Sequence, residues 1–119
     1  MIRRSRAVQD GAVAEALAAE YLQARGLEIV ERNYRCRGGE IDLIARQAQV
    51  LVFVEVRLRT NPMFGGAATS ITSAKRRRLV VAANYYLARL GREPPCRFDA
   101  VLLDALDAAR IEWLIDISC

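Results

Sequence analysis

Hydrophobic positions recur at helical spacing in two parts of the chain. In the first part, the residues that share one helical face are Val13, Ala14, Leu17, Ala18, Tyr21 and Leu22. This stripe predicts a helix over residues 11–25, because an amphipathic helix turns its apolar side chains toward the core every three or four positions. Asp10 is the predicted N-cap of this helix, and Gly26 is the predicted glycine after its last turn. Glu15 is expected at the border of the stripe.

The second apolar stripe consists of Leu79, Ala83, Tyr86, Leu87 and Leu90. It predicts a helix over residues 74–90, with Thr72 or Ser73 as its N-cap. Gly91 and the two prolines shortly after it are expected to end this helix, since glycine favours the helix terminus and proline cannot continue a helix.

Five other segments have the composition of strands: residues 27–34, 39–45, 50–58, 97–103 and 111–117. A short turn over residues 47–49 predicts a hairpin between the second and third of them. A loop before the second helix is marked by Asn61, Pro62, Gly65 and Gly66. The order α-β-β-β-α-β-β predicts an α/β fold, with a central mixed sheet flanked by helices. We expect one domain over residues 1–119, in which residues 1–9 form a flexible basic arm.

The absence of histidine narrows the possible chemistry. The chain has 119 residues and 0 His, which excludes Ser-His and Cys-His catalysis as well as histidine-ligated zinc or haem. Cys36, Cys96 and Cys119 are too widely spaced for a disulfide framework or a thiolate metal site, and they fit a reducing cytoplasm. The sequence shows no targeting segment and no run of ~20 apolar residues. We therefore expect a cytoplasmic protein that does not bind a membrane.

The charge of the chain is distributed unevenly. The formal net charge is +4, and residues 98–119 carry −4, so residues 1–97 carry +8. This asymmetry predicts a polyanionic partner on one face of the protein. Codon bias is the alternative explanation, because 17 of the 18 basic residues are arginine.

Acidic residues are expected to meet near one end of the predicted hairpin. Since alternate residues of a strand share a face, the third strand has one aliphatic face: Val50, Val52, Val54, Val56 and Leu58. Its other face changes from apolar to charged partway along: Leu51, Phe53, Glu55, Arg57 and Arg59. The second strand is divided in the same way, with Glu40, Asp42 and Ile44 opposite Ile41, Leu43 and Ala45. We therefore expect Asp42, Glu55 and Glu40 to converge.

Two interpretations of these carboxylates have equal weight at this point. Carboxylates that are forced together repel, and partial burial adds a desolvation cost of several kcal/mol per ion unless a cation compensates. Mg²⁺ is such a cation, since it binds one or two carboxylates together with water and substrate phosphate. Ordinary ion pairs with Arg35, Arg37, Arg57 or Arg59 would compensate the charge without a metal.

A run of four basic residues, Lys75, Arg76, Arg77 and Arg78, occupies the first turn of the predicted second helix. Cations at this position oppose the helix dipole, at a cost of roughly 0.3–1 kcal/mol each. The run therefore favours a phosphate site, in which free N–H groups and arginine side chains bind the anion together. A solvated, charged helix end is the alternative.

Two strings of the sequence, GEIDLIA at residues 39–45 and FVEVRLR at residues 53–59, resemble the YraN family of small bacterial proteins. Further points of match extend almost from end to end: Gly11, Glu15, Ala18, Tyr21, Leu22, Arg32, Asn33, Phe64, Gly65, Lys75, Arg78, Leu79, Arg97, Phe98 and Asp99. That family is similar to the Holliday junction resolvases. It belongs to the restriction-endonuclease-like superfamily, whose active-site pattern is written PD-(D/E)xK.

The resemblance implies an αβββαβ core with a metal-dependent nuclease site. It implies that Asp42 and Glu55 bind Mg²⁺ or Mn²⁺, and that Glu15 is the additional glutamate near the metal. Arg57 stands where the family has the active-site lysine. In the implied reaction, water activated by the metal attacks a phosphodiester in line, and the cation at residue 57 stabilises the developing charge. The implied catalytic residues are thus Asp42, Glu55, Arg57 and Glu15.

The arginine at position 57 departs from the family pattern. A desolvated lysine can lose a proton and help to position or deprotonate water, whereas arginine cannot. Arg57 can still supply charge and paired donors to a phosphate. Lys75, the only lysine in the chain, can take the role from the second helix. The alternative interpretation of Lys75, a surface lysine that contacts phosphate or solvent, has more weight from the sequence.

Two classes of function follow from these residues. The first is a metal-dependent endonuclease that acts on DNA rather than RNA, with branched or single-stranded structures as candidate substrates. The second is a nucleic-acid-binding module that has lost catalysis through the change at Arg57. In both cases the expected nucleic-acid-binding residues are Lys75, Arg76, Arg77, Arg78, Arg59 and Arg35. Pairing of two copies into a homodimer, which would serve two DNA strands, is left open.

Overall fold

The computed structural model describes residues 6–58, 72–104 and 110–117, with side chains from residue 10 onward. The elements in chain order are α1 (Arg6–Ala24), β1 (Glu28–Cys36), β2 (Gly39–Gln47), β3 (Val50–Leu58), α2 (Ser73–Leu90), β4 (Cys96–Leu103) and β5 (Ile111–Leu114). The predicted order of two helices and five strands is therefore confirmed. The predicted loop at residues 61–66 lies outside the described residues, as does the part of the predicted basic arm that precedes residue 6.

The five strands form one mixed sheet in the order β1-β2-β3-β4-β5. Antiparallel pairing joins β1 to β2, β2 to β3 and β4 to β5, whereas β3 and β4 are parallel. Short turns are sufficient for the antiparallel pairs, while the parallel pair requires a crossover, which contains α2. This arrangement confirms the predicted α/β fold with a mixed sheet flanked by helices.

The two helices cover opposite faces of the sheet, and β3 is buried on both. Its aliphatic face, with Val52 and Val54 at 0% exposure, packs in one cluster with Ala18 and Leu22 of α1. Its other face contributes Phe53 to a second cluster, which contains Leu79 and Tyr86 of α2. Because successive residues of a strand point to opposite sides, the alternation predicted for β3 directly gives this three-layer packing.

The ends of the helices are set by capping. Gly26 has a φ of 93°, and the N–H groups of Gly26 and Leu27 donate to the carbonyls of Gln23 and Leu22 in the pattern of a Schellman motif. Thr72 is the N-cap of α2, since its hydroxyl oxygen accepts from the Lys75 N–H at 3.2 Å. Gly91 ends α2 in the left-handed conformation. The predictions for Gly26, Thr72 and Gly91 are confirmed.

The beginning of α1 differs from the prediction. Asp10 is not the N-cap, because α1 already begins at Arg6 and Asp10 lies inside the helix. Residues 6–9, RAVQ, contain no glycine or proline that would stop the helix from extending toward the N-terminus.

The apolar stripes of the two helices also differ in detail from those predicted. Val13 and Leu90 are 44% and 37% exposed, while Ala19 and Ala82, which were not assigned to the stripes, are fully buried. The small alanine side chains allow a close approach of each helix to the sheet, so the contact face centres on them rather than on the larger residues at the edge.

The last strand ends earlier than predicted because a buried carboxylate redirects the chain. Asp99 of β4 is 0% exposed and accepts bonds from Arg97 Nε at 3.0 Å, Trp113 Nε1 at 3.0 Å and the Asp116 N–H at 2.8 Å. Asp116 has a φ of 59°, so the backbone leaves the extended conformation there and β5 stops at Leu114. The predicted strand over residues 111–117 is thus wrong in its last three positions.

A glycine lets α2 contact the backbone of the sheet. A Cβ added at Gly39 would collide with the carbonyl oxygen of Arg78 and would lie 2.8 Å from the Ala82 nitrogen. No other residue type fits at this contact without displacement of the helix. Gly39 therefore holds the start of α2 close to β2. Among the described residues, no helix is long and apolar enough to cross a membrane.

We expect Gly39→Ala to destabilise the protein by about 1–3 kcal/mol, because the added methyl group overpacks the contact between α2 and β2. Urea unfolding followed by circular dichroism measures the change. Gly11→Ala is the matched control, since a Cβ at Gly11 meets nothing within 4 Å and alanine is favoured in a helix by roughly 0.5–1 kcal/mol. Equal stability of Gly39→Ala and the wild type would contradict the close contact.

Candidate functional site

The hairpin strands β2 and β3 separate at Asp42. Their paired register runs from Gln47↔Val50 to Leu43↔Val54. At the next position, Oδ2 of Asp42 accepts from the backbone N–H of Val56 at 2.8 Å. A side chain therefore takes the place of a backbone acceptor in the ladder, which fixes the Asp42 carboxylate beside β3.

The neighbouring strand is also irregular at this point. Asn33 of β1 stands opposite Asp42 in the register, between the pairs Arg32↔Leu43 and Tyr34↔Ile41, and its φ is 52°. Asparagine is among the few residues that adopt this left-handed conformation readily. The side chain of Asn33 lines the same pocket as Glu15 of α1, and it acts to lower the pKa of that carboxyl group.

The irregularity corrects one prediction about the faces of β2. Ile41 was expected on the same face as Leu43 and Ala45, but it packs with Ile44 in the cluster beneath α2. Leu43 and Ala45 pack in the cluster beneath α1. Strict alternation of side chains fails because the regular pairing is interrupted around Asp42.

Five acidic side chains line one cleft of about 390 Å³: Asp10, Glu15, Glu40, Asp42 and Glu55. Two basic side chains, Arg57 and Lys75, line the same cleft. The first two acids come from α1, the other three from the hairpin and Lys75 from α2, so the cleft draws on three layers of the fold. An adjoining pocket of about 350 Å³ shares Glu15, Glu40 and Asp42 and extends to Asn33 and Arg35.

Asp42 and Glu55 line the same cleft, and each carboxyl group affects the pKa of the other. Burial, followed by the charge of Asp42, raises the pKa of Glu55 to about 8. Burial also raises the pKa of Asp42, although the bond from the Val56 N–H opposes this. Two neighbouring buried acids do not both ionise readily without a compensating cation.

Burial and the nearby Asp42 also raise the pKa of Glu15. Its hydrogen bond from Asn33 and the positive charge of Arg35 act in the opposite direction. The cleft therefore carries more acidic groups than its own cations neutralise.

The cations around the cleft are distributed unequally among the acids. Arg35 and Arg78 lie 3.8 Å and 3.5 Å from Glu40, at the exposed edge. Lys75 Nζ lies 3.8 Å from Glu55 Oε1. Within the described ranges, no lysine or arginine nitrogen lies within 4.0 Å of Asp42. Ion pairs with arginine therefore compensate the charge of Glu40. Within the described ranges, no such ion pair compensates the charge of Asp42.

The basic run at the start of α2 is divided between two surfaces. Lys75 and Arg78 face the acids of the cleft. Arg76 and Arg77 line a different groove together with Val80 and Val81. The N–H of Lys75 is already bonded to Thr72, so the helix terminus is partly satisfied by its own cap. The run therefore does not form one continuous patch, and Arg59 lies outside the described residues.

Two residues that shape the cleft were not assigned a role from the sequence. Asn33 lines a pocket with Glu15, and Gly39 allows α2 to lie close to the hairpin. Both have recognisable signals, since asparagine tolerates a positive φ and glycine permits close backbone approach. Neither signal identifies the partner that the residue meets in the fold.

Together, the fold and the cleft define a class of protein: a mixed-sheet α/β protein with an acidic cleft where the strands of a hairpin separate. A family model described as "Uncharacterised protein family UPF0102" matches residues 14–103, and the chain belongs to this family. This result confirms the predicted membership in the YraN family. The matched range contains Glu15, Asp42, Glu55 and Lys75.

Individual relatives agree with this assignment over most of the chain. A UPF0102 protein of Methylobacillus flagellatus is 55% identical over 108 residues, which cover 91% of this chain and 95% of the relative. One of Cupriavidus metallidurans is 60% identical over 111 residues, covering 92% and 81%. A third, of Ralstonia pickettii, is 56% identical over 111 residues, covering 89% and 86%. These names identify a family and state no reaction.

The raised pKa of Glu55 predicts an unusual pH dependence of stability. The pKa of Glu55 is raised from 4.5 to about 8, so the folded protein binds this proton more tightly than the unfolded chain does. The stabilisation is therefore complete below pH 4.5 and is lost as the pH rises through about 8. In metal-free buffer, we expect the stability of wild type relative to Glu55→Gln to fall over this range by a few kcal/mol, since glutamine does not titrate.

Urea unfolding of both proteins between pH 5 and about 9 measures this difference. Glu28→Gln is the control, because Glu28 is an exposed residue of β1 that pairs with Arg46 at 2.6 Å, outside the cleft. A difference between wild type and Glu55→Gln that stays constant with pH would contradict the raised pKa of Glu55.

Proposed function

We propose that this protein is a metal-dependent endonuclease that hydrolyses DNA phosphodiesters. The observation that carries the proposal is the placement of Asp42 and Glu55 together in a cleft lined by Arg57 and Lys75. Neighbouring buried acids are costly for stability, so their presence in a cleft is typical of a site built for chemistry rather than for folding.

The residues of the cleft fit a divalent cation. Asp42 and Glu55 offer hard oxygen donors, and ionisation of both requires a positive charge that Lys75, 3.8 Å from Glu55, supplies only in part. No group of three or more His, Cys, Asp or Glu side chains arranged for a metal is found within the described segments. Mg²⁺ and Mn²⁺ suit such an open donor set, because Mg²⁺ commonly takes one or two carboxylates and completes its shell with water and phosphate.

Each side chain of the cleft has a defined place in the proposed reaction. When bound, the divalent ion supplies Lewis-acid activation of water and of the phosphoryl group. Asp42 and Glu55 would hold the ion, and the Val56 N–H keeps Asp42 oriented. Glu15 would accept a hydrogen bond from water on the α1 side of the cleft. The positive charges of Arg57 and Lys75 stabilise the phosphate in the transition state.

The wider resemblance supports DNA as the substrate. The confirmed α-β-β-β-α-β order agrees with the core implied by similarity to Holliday junction resolvases and the restriction-endonuclease-like superfamily. From this similarity we propose branched or single-stranded DNA as substrates, and a homodimer where two strands are cut. Arg35 and Arg78, at the edge of the cleft, would bind the phosphate backbone there. The other proposed phosphate contacts are Arg59, Arg76 and Arg77, of which Arg76 and Arg77 line the separate groove.

One observation favours a second candidate function. Arg57 occupies the position of the lysine in the family pattern, and arginine cannot exchange a proton with water. A nucleic-acid-binding module without catalysis would keep the basic residues and need no metal. Its binding would weaken steeply with salt, as phosphate contacts release counterions.

We expect the purified wild-type chain to cleave branched DNA in Mg²⁺ or Mn²⁺, and Asp42→Ala to lower the rate by roughly 100-fold through loss of a metal ligand. Cleavage of labelled junction and duplex DNA, followed on denaturing gels, measures the rates. Glu28→Gln is the matched acidic control and should cleave like the wild type.

Equal cleavage by wild type and Asp42→Ala would contradict the proposed site. Absence of cleavage in both, combined with salt-sensitive DNA binding that Arg77→Glu weakens and Asp42→Ala leaves unchanged, would establish the binding module instead.

A further inference from the structure

We infer that Lys75 of α2, rather than Arg57, is the cationic residue that contacts the reacting phosphate in the cleft. The inference rests on the proposed nuclease function and adds the identity of one catalytic residue. The sequence alone favours the other interpretation, in which Lys75 is a surface lysine.

The ammonium group of Lys75 lies beside a proposed metal ligand. Lys75 Nζ lies 3.8 Å from Oε1 of Glu55, which is beyond the 2.7–3.2 Å of a direct N–H···O hydrogen bond. The charge is thus held beside the proposed metal ligand while its donors are not taken up by Glu55. The Lys75 side chain is 32% exposed against 12% for Glu55, so it reaches outward from the buried acid toward the open cleft.

The backbone of Lys75 is held in place. Its N–H donates to Thr72, and its carboxyl-terminal neighbours include Leu79 and Ala82, which are 1% and 0% exposed in the core. Close contact of α2 with Gly39 fixes the helix against the strand that carries Asp42. A lysine on such a support has a restricted set of positions, which is what a contact to a reacting group requires.

The residue type at position 75 also favours this role. The chain uses arginine at 17 of its 18 basic positions, and its one lysine is at the acid pair. A guanidinium is a planar fork that tends to bind a carboxylate through two parallel bonds, which would place it across Glu55. An ammonium is compact and can lie between a carboxylate and a phosphate oxygen at the same time.

The cavities agree with this assignment. Lys75 lines the 390 Å³ cleft together with Asp42 and Glu55. It also lines a small pocket with Glu40, Glu55 and Arg78. Lys75 therefore lines both the cleft that contains the proposed metal ligands and the pocket that it shares with Arg78.

The test measures single-turnover cleavage by the full chain in Mn²⁺, with DNA affinity measured in parallel in Ca²⁺ to prevent turnover. The variants are Lys75→Gln, Lys75→Arg and Arg57→Gln. The matched control is Arg89→Gln, an exposed arginine in the last turn of the same helix that has no place in the proposed site. The urea midpoint of each variant shows whether it is folded, and Lys75→Met replaces Lys75→Gln if the latter is not.

We expect Lys75→Gln and Lys75→Arg to lower the cleavage rate by about 100-fold, the usual effect of removing one stabilising donor from a transition state. DNA affinity should change by less than about threefold, because a single phosphate contact adds little to a binding site with many. Arg57→Gln should lose less rate than Lys75→Gln, and Arg89→Gln should cleave like the wild type.

A Lys75→Gln rate close to that of wild type would overturn the inference, as would a larger loss in Arg57→Gln or a loss of affinity equal to the loss of rate. If Asp42→Ala abolishes cleavage while Lys75→Gln does not, the proposed nuclease stands and only the role of Lys75 fails. If the wild type does not cleave, both fail.

Discussion

The site depends on one interaction, the hydrogen bond from the Val56 N–H to the carboxylate of Asp42. In a regular hairpin this N–H would bond to a backbone carbonyl of β2. Here a side chain accepts it, so β2 and β3 separate while their backbone donors remain satisfied. The same bond holds Asp42 beside β3, the strand of Glu55. The pKa of Glu55 rises to about 8 because of burial and of the nearby charge of Asp42. The hydrophobic layers on both sides of β3 supply the stability that such an arrangement requires.

Other parts of the fold converge on this point from three directions. The α1 helix contributes Glu15, which Asn33 of β1 holds near Asp42. The α2 helix contributes Lys75, and it can approach closely because residue 39 has no side chain. At the other edge of the sheet, Asp99 binds Arg97, Trp113 and Asp116 in a fully satisfied network. Asp99 differs from the acid pair Asp42 and Glu55. Asp99 has donors for its lone pairs and stabilises the fold, whereas the pair in the cleft lacks sufficient positive charge.

The sequence predicts the elements well because periodicity and capping are local properties. The hairpin, the two-sided burial of β3 and the glycines after both helices follow from spacing and backbone preference alone. The errors arise where a distant partner decides the outcome. The end of β5 depends on Asp99, seventeen residues earlier than Asp116. The position of Ile41 depends on the irregular pairing at Asn33, and the division of the basic run depends on which face of α2 meets the acids. The start of α1 was wrong because a favourable N-cap residue does not exclude a longer helix.

The convergence of Asp42 and Glu55 could be predicted from strand alternation. The depth of their burial and the position of Lys75 could not, since these depend on how far the strands separate and how α2 packs. Calorimetric titration of Mn²⁺ into metal-free protein near neutral pH tests the central claim most directly. The account predicts saturable binding by wild type and by Glu28→Gln, and loss of that binding in Asp42→Ala. Binding that is the same in wild type and Asp42→Ala, or no binding by either, would contradict a divalent-cation site at this acid pair.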